Sequence, residues 1–152
     1  MGAKIENEIA VSIPLEDIEK IEIRDNKPFY KFGKRRNLST IISDTGADYA
    51  INGTLYNMRT GKPVCPLRAN GVTKYDGKYI CIGYAWDDPH NFHMELVPSS
   101  MWANYIACSE ILRNGHVNEN PIYNVAQGGK RGRTAIGTKI VDGKVRLCLY
   151  AS

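Results

Sequence analysis

Arg133-Thr-Ala-Ile-Gly-Thr-Lys-Ile-Val-Asp-Gly-Lys-Val-Arg-Leu-Cys-Leu-Tyr-Ala-Ser152 holds two β-prone runs separated by Asp142-Gly143. Asp-Gly tolerates the positive φ that a two-residue hairpin loop demands, so residues 135–141 are expected to pair antiparallel with residues 144–150. The same signal recurs at Asn70-Gly71, Asp76-Gly77 and Asn114-Gly115. On that basis residues 72–75 should pair with residues 78–84, and residues 105–113 with the run that starts at His116. Tight turns join antiparallel neighbours, whereas parallel strands need long crossovers. The expected class is therefore α+β: a mainly antiparallel or mixed β-sheet with hairpins, and one or two helices near the N-terminal half.

Upstream, residues 4–13 alternate loosely and read as a first strand. Ser12 then precedes Pro14-Leu-Glu-Asp, a helix start with acidic residues in its first turn. That helix must be short, because Ile21-Glu-Ile-Arg24 already alternates with strand period. Residues 25–36 are rich in charge and turn formers and read as a loop. Asn37 can cap a helix over residues 38–44, with Leu38, Ile41 and Ile42 on one face and Gly46 as its stop. Residues 48–51 then read as a strand that ends abruptly at Asn52-Gly53. A polar amide at the end of a buried strand is either a turn device or a ligand-facing group.

A chain of 152 residues, 43% hydrophobic and 24% charged, suits one globular domain over residues 1–152. No run reaches the ~18 apolar residues of a membrane span, and the mixed-charge N-terminus lacks a signal core. Glu6 stands where a myristoylation motif has Ser or Thr. The expected location is the cytoplasm, or a host cytoplasm if the chain is phage-encoded. Cys65, Cys81, Cys108 and Cys148 form no Cys-x-x-Cys pair, so neither a metal centre nor a cofactor is expected. They read as reduced core residues. The net charge of +4 concentrates at residues 31–36 and 130–133. Phe29, Tyr30 and Phe32 interleave with the first basic run, but a solvated loop explains them more simply than a nucleic-acid surface.

Two segments resist the hairpin pattern. The first, Trp86-Asp-Asp-Pro-His-Asn-Phe-His-Met94, puts His90 and His93 three apart, yet Pro89 opposes the helix that such metal-ligand spacing needs. A surface loop is the preferred reading. The second, residues 118–133, is long and glycine-rich, and long loops in compact domains are often functional. Gly128-Gly-Lys130-Arg131-Gly-Arg133-Thr134 could bring backbone N–H groups and Arg donors to an oxyanion, or could be a solvated basic turn. Glu110 lies within the apolar run Ile106-Ala-Cys-Ser-Glu-Ile-Leu112 and needs a partner or a pocket. It is open to two readings, a solvent-facing residue or a general acid/base.

Taken in order, Ile51-Asn-Gly-Thr-Leu-Tyr56, Ala107-Cys-Ser-Glu-Ile-Leu112 and Arg133-Thr-Ala-Ile-Gly137 followed by Asp142-Gly143 resemble the phosphodiester glycosidase family. That family includes the lysosomal uncovering enzyme as well as bacterial and phage-encoded members. The resemblance spans roughly residues 48–152. It departs from the family at Thr54, and at Glu110 and Ile111, where the family pattern has glycines. It implies hydrolysis of a sugar phosphodiester, with Asn52, Gly53, Tyr56, Arg133, Thr134, Lys130 and Arg131 binding the substrate. Arg133 would hold the phosphodiester and offset its charge as the glycosidic bond breaks. Glu110 or Asp48 would supply the catalytic carboxylate, with Asp87 a further local carboxylate.

Family members continue into a helix and an Asp-Gly-Gly-Gly-Ser-like motif beyond the region matched here. Its absence from this sequence raises three expectations: a domain truncated at its C-terminus, a complementing C-terminal chain, or a shortened, non-catalytic binder that sequesters a phosphodiester or nucleotide-like signal. A structural role, as a phage particle component, is a further reading of the function. The final strand is also expected to present an open edge that favours a homo-oligomer.

Overall fold

The computed structural model describes residues 9–24, 38–57, 59–60, 62–76, 82–119 and 133–152. The expected loop at 25–36, its basic and aromatic residues, Cys81, Lys130 and Arg131 lie outside the described residues. The chain is α+β, with antiparallel sheets, hairpins and a helix in the N-terminal half. Its elements are β1 (Ile9–Pro14), α1 (Leu38–Thr45), β2 (Leu67–Ala69), β3 (Val72–Tyr75) and β4 (Ile82–Trp86). They continue with β5 (His93–Glu95), β6 (Asn104–Cys108), β7 (Leu112–Arg113), β8 (His116–Val117), β9 (Thr134–Val141) and β10 (Lys144–Ala151).

The opening hairpin forms as its sequence requires. β9 and β10 pair from Val141↔Lys144 to Thr134↔Ala151. Asp142 and Gly143 have φ of 52° and 75°, the left-handed pair of a type I′ turn. β1 pairs with the other side of β10, so the sheet order is β1-β10-β9. The last strand is thus central rather than an open edge. Its alternation of Val145, Leu147 and Leu149 is met by Ile13 and Val11 on one side and by Ile140 and Ile136 on the other.

A five-stranded sheet runs β3-β2-β6-β4-β5. Here two expected pairings are corrected. Asn70-Gly71 turns β2 into β3, and residues 82–84 of the expected partner run belong to β4, which lies beyond β2 and β6 instead of beside β3; residues 78–81 of that run lie outside the described residues. Burial explains the order: β4 is buried from Gly83 to Trp86 and needs neighbours on both sides, whereas Val72, Thr73 and Lys74 are exposed and suit an edge. Residues 105–113 likewise do not form one long hairpin arm. β6 enters the five-stranded sheet, and only Leu112–Arg113 pairs with His116–Val117 across Asn114-Gly115. Asn104, the buried polar residue of β6, accepts from Asn70 N and donates to Trp86 O, so both ends of its amide are used.

Period-two alternation sends Tyr84, Trp86 and Ile106 to one face of this sheet and Ala85, Tyr105 and Ala107 to the other. The first face forms a core with Leu15, Phe92 and Leu147, and Ile136 and Leu149 pack against it. Phe92 stacks on Tyr84 with centroids 4.7 Å apart. Leu15 begins a single 3-10 turn, Leu15–Asp17, where a short helix was expected. Ile21 and Ile23, expected in a strand, instead lay their side chains on the core, and Ile21 O accepts from Trp86 Nε1 at 3.1 Å. The second face packs Cys65 and is flanked by Leu55, Val64 and Trp102.

α1 ends as expected, with Gly46 at φ 70° donating its N–H to Ile42 O. Residues 48–51, expected as a strand, have no regular structure; Tyr49 is 52% exposed and the segment finds no ladder partner among the described residues.

Candidate functional site

Asn52 and Gly53 begin a loop that wraps the C-terminal end of β6. A Cβ on Gly53 would sit 3.3 Å from Ile106 Cδ1, so the backbone there rests against that side chain. Thr54 Oγ1 donates to Ala107 O at 2.5 Å, and Val64 N donates to Leu55 O at 2.9 Å. Leu55 itself packs with the cluster on the second face. Tyr56 is 39% exposed and bridges to Pro63. Asp48 and Asn52 are exposed.

Arg133 and Thr134 open β9. Arg133 extends the hairpin ladder by one residue, with Ser152 N donating to Arg133 O at 2.9 Å and Arg133 N to Ser152 O at 3.2 Å. Three residues on, Ile136 packs against the same core as Ile106. A Cβ at Gly137 would lie 3.9 Å from Tyr84 Oη. Tyr84 and Ile106 are directly opposed across β4 and β6. Gly53 and Gly137 therefore lie against the two members of one cross-strand pair, Ile106 and Tyr84, while Asn52 is exposed and Arg133 stands four residues before Gly137 at the start of the hairpin ladder.

Glu110 sits just past the end of β6 rather than inside a strand. Its side chain is only 15% exposed, and Arg113 donates to Oε2 from both Nε (2.9 Å) and Nη2 (2.6 Å). Asn118 Nδ2 donates to the Glu110 carbonyl at 2.9 Å. Oε1 carries no hydrogen bond among the described residues. The partner that Glu110 needs is thus Arg113, an acid and a base three apart in the sequence.

Cys108, half-buried, adjoins this corner. Burial pushes its thiol above the usual value of 9.0, against hydrogen bonds from the Ser109 and Leu55 backbone, while Cys65 reinforces the rise. Such a thiol stays neutral and acts as a small apolar group.

The two histidines part company. His90 is exposed and lies 3.7 Å from Asp88, whose side chain caps the Pro89–Asn91 turn. His93, in β5, is 2.8 Å from Glu95 Oε1, which also accepts from Trp102 Nε1 at 3.1 Å. The Trp102 and His93 rings meet edge to face at 4.5 Å. The cluster fastens β5 to the segment leading into β6. Among the described residues, no group of three or more His, Cys, Asp or Glu is placed to hold a metal ion, and no helix is long and apolar enough to cross a membrane.

A depression of about 220 Å³ lies elsewhere, between β2, β3 and the 98–100 segment, and includes none of the residues singled out above. No family model, curated protein or solved structure matches the chain.

Proposed function

We propose that this chain acts on a sugar phosphodiester in the manner of the phosphodiester glycosidases. The observation that supports this reading is that Gly53, next to Asn52, and Gly137, in the run opened by Arg133, lie against the two members of the Tyr84–Ile106 pair. These are the segments that carry the resemblance, and distant motifs that share a chemical task must meet in space. Arg133 holds the phosphodiester with charge-assisted hydrogen bonds, and Asn52 and Tyr56 meet the sugar. Water adds to the anomeric carbon as its bond to the phosphate oxygen breaks, yielding free sugar and a phosphomonoester. Glu110 is the carboxylate with an oxygen to offer: Arg113 occupies Oε2 and leaves Oε1 for proton transfer.

The test is release of free sugar from a synthetic glycosyl phosphodiester by the purified chain. Wild type should release it, and Arg133→Ala should lower kcat/KM at least about 100-fold, as removal of one oxyanion donor does elsewhere. Equal inertness of the two proteins sinks the hydrolase reading. One observation favours binding without turnover, namely that Glu110 is already committed to a structural ion pair with Arg113. In that case the same phosphodiester raises the melting temperature with its concentration and no sugar appears.

A further inference from the structure

We infer that Arg68 and the depression beside it form a second, separate binding site for a small oxyanion, a phosphate or carboxylate group. Arg68 is half-buried in β2 and its guanidinium is held at two points. Nε donates to Trp102 O at 2.9 Å, and Nη1 donates to Thr73 Oγ1 at 2.9 Å on the neighbouring strand. Neither partner is charged. Among the described residues Arg68 has no carboxylate within ion-pair distance, and Nη2 makes no hydrogen bond.

An orientated guanidinium bonded only to neutral groups keeps its full charge and a free Nη2 with which to hold an anion. Arg68 lines a depression of about 220 Å³ together with Thr73, Ser99, Ser100 and Tyr105. Tyr105 is fully buried. Arg donors flanked by hydroxyls form the donor set that binds oxyanions, and the two existing hydrogen bonds remove the rotamer entropy that an exposed Arg loses on binding. The volume is below that of ordinary drug-sized pockets, which restricts the occupant to a small anion or the anionic end of a larger molecule. Asp76 also lines the depression and is exposed. Its charge opposes the anion, which makes it the natural control. A mere fastening of the 96–103 segment to β3 would use Nε and one Nη1 hydrogen and would be indifferent to Asp76.

The experiment titrates the isotope-labelled full chain with inorganic phosphate and, separately, acetate, against sodium chloride at matched ionic strength. Backbone amide shifts of Thr73, Ser99 and Ser100 are followed. Saturable shifts there with phosphate, acetate or both are expected, and the stronger of the two identifies the anion class. Arg68→Gln should weaken binding by about tenfold or more, the loss of a charge-assisted hydrogen bond. Asp76→Asn should tighten it by about two- to fivefold. Shifts that are absent with both anions, that chloride reproduces, or that Arg68→Gln leaves intact overturn the proposal. Should Arg68→Gln fail to fold, Asp76→Asn decides: unchanged affinity overturns the proposal. Binding at Arg133 would instead shift amides at the start of β9, so the two sites fail or succeed separately.

Discussion

Gly83 and Gly137 look alike in the sequence, each flanked by β-prone residues, but β4 and β9 use them differently. A Cβ on Gly83 would stand 2.3 Å from Ile106 O and 2.9 Å from Ala107 Cα, both backbone atoms with nowhere to move. A Cβ on Gly137 would meet only Tyr84 Oη at 3.9 Å, an ordinary contact. Gly83→Ala should therefore cost about 3 kcal/mol, at the upper end for overpacked cores. Gly137→Ala should change stability by less than about 1 kcal/mol. Urea denaturation of both variants checks the contrast, and equal midpoints would show that β4 and β6 are not so closely apposed. Glu110 teaches the same lesson for polar residues. Its carboxylate was legible as needing a partner, yet its place past the strand end and its grip by Arg113 depend on how β7 leaves β6.

Among the elements, the hairpins were the most legible. Three of the four turn dipeptides carry positive φ at both positions, Asn70-Gly71, Asn114-Gly115 and Asp142-Gly143; Gly77 of the fourth lies outside the described residues. A type I′ turn is decided by two residues, so no distant contact is needed to specify it. Gly143 has nothing within 4 Å of a would-be Cβ, so the cost of Gly143→Ala is purely conformational. It should lower stability by about 1–2 kcal/mol, read from urea denaturation; a neutral result would mean that the turn relaxes to another type. What the turns left undecided was which strands lie beside the hairpins. The expected strand at residues 48–51 failed for a related reason: apolar character permits pairing but supplies no partner.

For the whole molecule, the deciding feature is the core that joins the two larger sheets. Leu147 from β10 packs with Tyr84 and Trp86 from β4 and with Leu15 from the N-terminal turn, so residues more than 130 apart share one cluster. Leu147→Ala should cost about 2–5 kcal/mol. Because Trp86 reports on the five-stranded sheet while β10 belongs to the other, tryptophan fluorescence and far-ultraviolet dichroism should show coincident transitions in the variant as in the wild type. Separated transitions would mean that the sheets fold as independent units. The same packing supports the functional reading, since Ile106, against which Gly53 rests, and Ile136 of the Arg133–Gly137 run both pack on this core.

The sequence by itself determined the α+β class, the positions of the three described turns, the β9–β10 register and the stop of α1, all of which depend on residues within a few positions of one another. Only the tertiary structure decided that the last strand is central, that β4 pairs with β6 rather than β3, and that Gly53 and Gly137 lie against Ile106 and Tyr84, the two members of one cross-strand pair. Those outcomes depend on which apolar faces bury each other, and burial is a property of the assembled chain that local pattern does not encode.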